Sequence, residues 1–176
     1  MSWSRRRLLL LLPILAASLG GCGFHPLYAE QSTFGYDPEL AAIKVRPIPE
    51  RVGQILTTSL RERFNPEGAA VDDRYELSVS LTVSVFELGI QVNATAIRSE
   101  VTMTANYVLT DLKSHAQLYK ATSTARASFN YLNDAFATTV ADQDARQRAL
   151  RDLSEQIGIR LALFLRDRKQ DGKSTG

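Results

Sequence analysis

The chain carries one cysteine and two histidines in 176 residues. A lone thiol, Cys22, excludes an internal disulfide and leaves no thiolate set for a structural zinc. His25 and His115 lie far apart in sequence, and neither has a carboxylate at the spacing of a metal site or a catalytic triad. No glycine-rich loop of the phosphate-cradling kind occurs. Excess charge of one sign is missing too: 21 basic residues face 19 acidic ones, a net charge of +2, which gives no electrostatic footprint for nucleic acid. Nor is there an unbroken run of the roughly 20 apolar residues that a spanning helix needs. These absences leave no residue set for an enzyme, a metal or an organic cofactor, and they point to a binding or structural role.

What is present begins with "MSWSRRRLLLLLPILAASLGG". Its basic start (Arg5, Arg6, Arg7), apolar middle (Leu8 to Leu15, interrupted by Pro13) and small-residue end (Ala16 to Gly21) have the layout of a secretory signal removed on export. The junction "LGGC" looks like a bacterial lipobox. That resemblance makes Cys22 a lipid attachment site, diacylated on sulfur and, once it becomes the new N-terminus, acylated on its amine. Each buried CH₂ contributes ~0.8 kcal/mol, so several chains hold firmly where one holds only marginally. The mature protein is therefore expected to be anchored to a membrane without spanning it. Gly23 stands where lipoproteins kept in the inner membrane often carry aspartate, which by analogy directs this one to the periplasmic face of the outer membrane. Loss of residues 1–21 takes away three arginines and no acid, leaving 18 basic and 19 acidic side chains and a net charge of −1.

The mature length suits one domain with a single core. Residues 22–40, with Pro26, Gly35 and Pro38 and no regular period, read as a lipidated N-terminus and extended tether. A domain is expected over 41–168. It opens with a short strand in "AAIKVRPIP", ended or confined to an edge by Pro47 and Pro49. The spacing of Val52, Ile55, Leu56, Ser59, Leu60 and Arg63 predicts a helix with one apolar stripe. Three alternating runs follow. Tyr75, Leu77, Val79, Leu81, Val83 and Val85 share a face of the first; Ile97, Val101, Met103, Ala105, Tyr107 and Leu109 of the second; Tyr119, Ala121, Ala125, Ala127, Phe129 and Tyr131 of the third. Hairpins around "ELGIQVNAT" and "DLKSHA" would join them as antiparallel strands. A last helix is predicted over roughly 140–165, with Ala149, Leu150, Leu153, Ile157, Leu161 and Phe164 inward, and a disordered tail over 169–176. The sum is an α+β fold: a two-layer sandwich with a four-stranded, mostly antiparallel sheet and two helices packed on one face.

Asp111, Asp134, Asp142 and Asp144 fall where a turn or a helix start needs a side-chain acceptor. The sheet's other face is mostly hydroxylic: Ser78, Ser80, Thr82 and Ser84, then Thr102 and Thr104, then Thr122, Thr124 and Ser128. Threonine favours strands in any case, and such a face also suits contact with another protein. A turn near Lys113 would set Glu100 opposite Arg126 as an ordinary cross-strand pair. Arg98 and Lys120 are then left as candidates for an anionic ligand. In "VFELGIQVNAT" the apolar phase slips to Phe86, Leu88, Ile90 and Val92. Either a bulge returns the hairpin end to the core, or Leu88, Ile90 and Val92 at its tip meet a partner or an acyl chain.

The lipobox with "CGFHPLY", the segments "AIRSEVTMTANYVLTD" and "ARASFNYLNDAFAT", and the final "DARQRALRDLSEQIGIRLALFL" together resemble the LptE family of lipopolysaccharide-assembly lipoproteins in its alphaproteobacterial form. The resemblance covers nearly the whole mature chain and rests on the order of these stretches, not on a single motif. It implies a two-helix, four-stranded domain, and a protein that plugs the LptD β-barrel, supports the barrel's assembly and helps deliver lipopolysaccharide to the outer leaflet. Under it, Arg98 and Lys120, with Thr104 and Thr122, become candidates for holding the phosphorylated head of lipopolysaccharide. An auxiliary lipoprotein of an ABC-type lipid-transport system is the alternative, since such chains also join a lipobox to a small α/β domain.

Overall fold

In a computed structural model the described residues are 37–87, 98–130 and 134–174. The chain divides at Gly35/Tyr36, and every element below belongs to the second unit. Cys22, Leu88, Ile90, Val92, Ile97 and Tyr131 lie outside the described residues.

The first element, α1 (Pro38–Ala41), is a single helical turn at the end of the stretch expected to be an extended tether. Its cause is local: the Asp37 carboxylate accepts from the Glu39 N–H, and Pro38 at the first position brings a preset φ. Leu40 and Ala41 are buried, so the folded domain starts before residue 41. Glu39 pins the turn, accepting from Arg74 Nη1 (2.7 Å) and the Tyr75 hydroxyl (2.9 Å). The Arg74 guanidinium also lies 5.4 Å over the Tyr75 ring. Burial, then the bond to Glu39, pushes the Tyr75 phenol above its ordinary range.

Strand β1 (Ile43–Val45) follows and pairs in parallel with the start of β2 (Tyr75–Glu87). Between them runs α2 (Glu50–Phe64), which lacks a side-chain N-cap and begins on Glu50 at φ +66°. Its buried stripe is Gly53, Leu56, Thr57, Leu60 and Phe64. The expected stripe was partly out of phase, since Ile55 is exposed. The reason is Ile48, buried after β1: its N–H donates to Thr57 Oγ1 (3.2 Å), whose hydroxyl donates to the Gly53 carbonyl (2.9 Å). This relay rotates Gly53 and Thr57 inward.

Strands β3 (Arg98–Asp111) and β4 (Gln117–Asn130) complete an antiparallel meander, giving the sheet order β1-β2-β3-β4. Asp111 organises the β3–β4 turn by accepting from the Lys113 and Ser114 N–H groups, each at 2.9 Å. Those bonds, Ser114's first, hold its carboxyl below the ordinary range. The register runs Glu100↔Ser128 and Thr102↔Arg126, two positions from the expected pairing: the ladder shift between Leu109 and Thr110 supplies one position and the centring of the turn the other. Glu100 and Arg126 still meet diagonally at 3.9 Å.

The last helix, α3 (Ala135–Ser174), is far longer than predicted and runs through most of the expected tail. Arg168 and Asp171 stand three residues apart, a spacing at which opposite charges support a helix. Asp134 starts it, accepting from the Phe136 and Ala137 N–H groups. Asp142 and Asp144, expected at a helix start, instead lie inside α3 and pair with Arg146 and Arg148, both at 2.8 Å. The inward stripe holds as read: Ala149, Leu150, Leu153, Ile157 and Leu161 are buried, with Ala145 and Leu165 added. Phe164 stacks on Tyr119 with ring centroids 4.8 Å apart.

The core is one cluster between the helices and the odd-numbered residues of the strands. Val101, Met103, Ala105, Tyr107 and Leu109 are inaccessible along β3, as are Ala125, Ala127 and Phe129 nearly so along β4. On β2 the expected burial fails beyond Leu77: Val79, Leu81 and Val83 are half-buried and Val85 is 45% exposed. Helix α2 lies over β1 and α3 over β3 and β4, leaving the far half of β2 without a helix of its own. One core position is unsatisfied. The Ser99 hydroxyl is fully buried with no hydrogen-bond partner among the described residues. An orphaned hydroxyl costs roughly 1–3 kcal/mol, so Ser99→Ala is expected to raise unfolding stability by about 1 kcal/mol in urea titration. A loss of stability would show that the hydroxyl is bonded.

Candidate functional site: the hydroxyl face of the sheet

Even-numbered residues of β2, β3 and β4 point away from the helices, and the two ladders align them in rows across the sheet. Ser80, Asn106 and Thr122 form one row, Thr82, Thr104 and Thr124 the next, and Ser84, Thr102 and Arg126 a third. Thr122 donates to Asn106 Oδ1 at 2.7 Å, and the Thr104 and Thr124 hydroxyls lie 3.3 Å apart. The cause is the period of two: strands buried on their odd residues must display their even ones. The result is a broad neutral surface of hydroxyl and amide groups with few charges.

Lys120 stands at one end of this face beside Val108, and Arg98 at the other beside Asn130. Ten strand positions separate their rows, about 33 Å at ~3.3 Å per residue. The structure therefore does not bring Arg98 and Lys120 to one phosphate. It does bring Lys120 near Thr122, one row on, with Thr104 diagonal to Thr122. Both cations are exposed. At Arg98's end the neighbouring charges are Glu100 and its partner Arg126. The β2–β3 register is unbroken to Glu87↔Ser99, so the bulge considered for the phase slip does not occur among the described residues. Phe86 instead falls on the hydroxyl face, opposite Glu100 and 55% exposed.

Sequence reasoning missed the treatment of the β4 edge. Arg148 Nη2 donates to the Ser128 carbonyl (3.1 Å), Gln156 Nε2 to that of Thr124 (3.3 Å) and Arg160 Nη1 to that of Thr122 (3.1 Å). Long polar side chains of α3 thus occupy edge groups that another strand would need. Their helical spacing beside the apolar stripe was the available signal. His115 lies exposed in the β3–β4 turn at φ +55°. Among the described residues no group of three His, Cys, Asp or Glu side chains is placed to hold a metal, and no helix is long and apolar enough to cross a membrane.

These residues build a two-layer α+β domain with one face closed by helices and the other a broad polar surface. The solved structures agree on the fold. A Caulobacter crescentus protein classed with the lipoproteins is similar with a TM-score of 0.57 and 21% identity, over 72% of this chain and 92% of that one. A minor lipoprotein of Acinetobacter baumannii is similar with a TM-score of 0.56 and 17% identity, over 70% and 92%. A search of curated protein sequences gives no significant match. The family model LptE, described as Lipopolysaccharide-assembly, matches residues 40–161, and the chain belongs to that family.

Proposed function

We propose that this protein is the outer-membrane lipoprotein of a lipopolysaccharide transport and assembly machinery, anchored through Cys22 and acting as plug and assembly partner of an LptD-like β-barrel. Membership of the lipopolysaccharide-assembly family supports the role. The observation that carries the barrel partnership is the even-numbered sheet face, whose hydroxyl and amide groups suit the polar interior of a barrel. Recovery of a large outer-membrane barrel with the chain from detergent-solubilised outer membranes is the expected result. Recovery with an inner-membrane permease instead would overturn the assignment.

Lipopolysaccharide is the proposed ligand, and the distance between Arg98 and Lys120 gives them separate tasks. Lys120, with Thr122 and Thr104, offers one charge-assisted contact for an anionic group, and Arg98 a second at the far end. Lys120→Glu and Arg98→Glu are each expected to weaken binding of purified lipopolysaccharide at low salt, with nearly additive effects because the sites are remote. Thermal stability should hardly change, as both side chains are exposed. Wild-type affinity in both variants would remove these residues from the site.

A further inference from the structure

Nearly every edge of the sheet is guarded. The outer edge of β4 carries the three α3 side chains, and on β1 Arg61 Nη2 donates to the Val45 carbonyl at 3.1 Å. One stretch is not. Strand β1 pairs with β2 only as far as Leu77, and from Val79 to Glu87 β2 bonds to β3 alone among the described residues. The orientation of the free groups follows from the pairing at the strand's start. There the Tyr75 N–H donates to Ala42 and the Leu77 carbonyl accepts from Arg46, so odd residues face this edge. Val79, Leu81, Val83, Val85 and Glu87 therefore present their N–H and C=O groups outward. Folds usually blunt such an edge with lysine, proline or a bulge. Between Val79 and Phe86 there is no charge and no proline, and the register with β3 is unbroken.

We propose that this edge pairs antiparallel with the same edge of a second copy of the chain, joining two sheets into one. The sequence of the strand argues for a copy as occupant, because it is nearly symmetric about Thr82. Pairing about that residue sets Val79 against Val85 and Leu81 against Val83 on the helix side, and Ser80 against Ser84 on the hydroxyl side. Apolar groups meet apolar groups, hydroxyls meet hydroxyls, and no charge in the span opposes its own image. The pairing also makes the odd residues the hydrogen-bonded ones, as their outward groups require. A two-fold axis through Thr82 closes the contact, so it ends at a dimer. The half-buried Val79, Leu81 and Val83 and the exposed Val85 gain cross-strand neighbours. So short an interface gives a weak, reversible dimer. This inference stands independently of the proposed ligand and barrel.

The test uses the chain with Cys22→Ser, so that the only thiol is an introduced one. Thr82→Cys places a cysteine at a close, non-hydrogen-bonded position opposite its own copy, within disulfide reach. Mild oxidation should yield a disulfide-linked dimer, whereas Thr104→Cys, on the same face but on β3, should yield none. Sedimentation across a dilution series should show reversible dimerisation that Val83→Pro abolishes, since it removes an N–H that β3 does not use. Val83→Lys provides a second disruption should the proline variant fold poorly. Amide exchange at Val79, Leu81, Val83 and Val85 should slow as concentration rises. A monomer at every concentration, or a dimer unaffected by both Val83 variants, would overturn the proposal. So would slow exchange at all dilutions, which would mean that another segment of the same chain covers this edge.

Discussion

Truncation of Leu153 to alanine is expected to lower unfolding stability by about 2–5 kcal/mol. The side chain is fully buried midway along the inward stripe of α3. Facing strand β4 supplies Ala125 and Ala127 to this core, and neither can extend into the space a leucine vacates. The surrounding side chains are therefore poorly placed to fill the cavity, which argues for the upper part of that range. Urea denaturation of the variant gives the value directly. A loss below about 1 kcal/mol would show that α3 shifts toward the sheet as the wedge is removed, contrary to the close fit that the buried alanines imply.

Gly53→Ala is expected to destabilise the domain, although alanine is the better helix former by about 1 kcal/mol. A Cβ at this position would lie 2.6 Å from Ile48 Cγ2 and 3.0 Å from the Ile48 carbonyl oxygen. The methyl group can rotate aside, but the carbonyl belongs to the loop that carries β1 into α2. Overpacking of this kind costs about 1–3 kcal/mol, so a net loss of up to about 2 kcal/mol remains. The distinguishing sign is local. The Ile48 N–H, now bonded to Thr57 Oγ1, should exchange faster in the variant than in the parent at equal global stability. Unchanged exchange would separate Gly53 from the relay.

The strands were legible because alternation is a two-residue property that needs no knowledge of neighbours. Val101 to Leu109 alternate cleanly and are buried as read. Burial of Val79 to Val85 was misread for the opposite reason: the pattern names an inward face but not whether a helix reaches it. The stripe of α2 was displaced because Ile48, nine residues before Thr57, fixes its rotation through a hydrogen bond that periodicity does not contain. At the candidate site, the hydroxyl face followed from the same alternation, and the expected register already set Lys120 eight positions from Arg98 where the observed one sets it ten away. One shift between Leu109 and Thr110 moves every pairing beyond it.

The guards of the β4 edge have a consequence for biosynthesis. Arg148, Gln156 and Arg160 all follow β4 in the chain. Until they have been synthesised, the completed meander has its β4 edge as open as the far part of β2. A nascent chain thus passes through an interval in which its hydroxyl-rich strands are vulnerable on both sides. Its escape from mispairing in that interval depends on how quickly the C-terminal helix arrives.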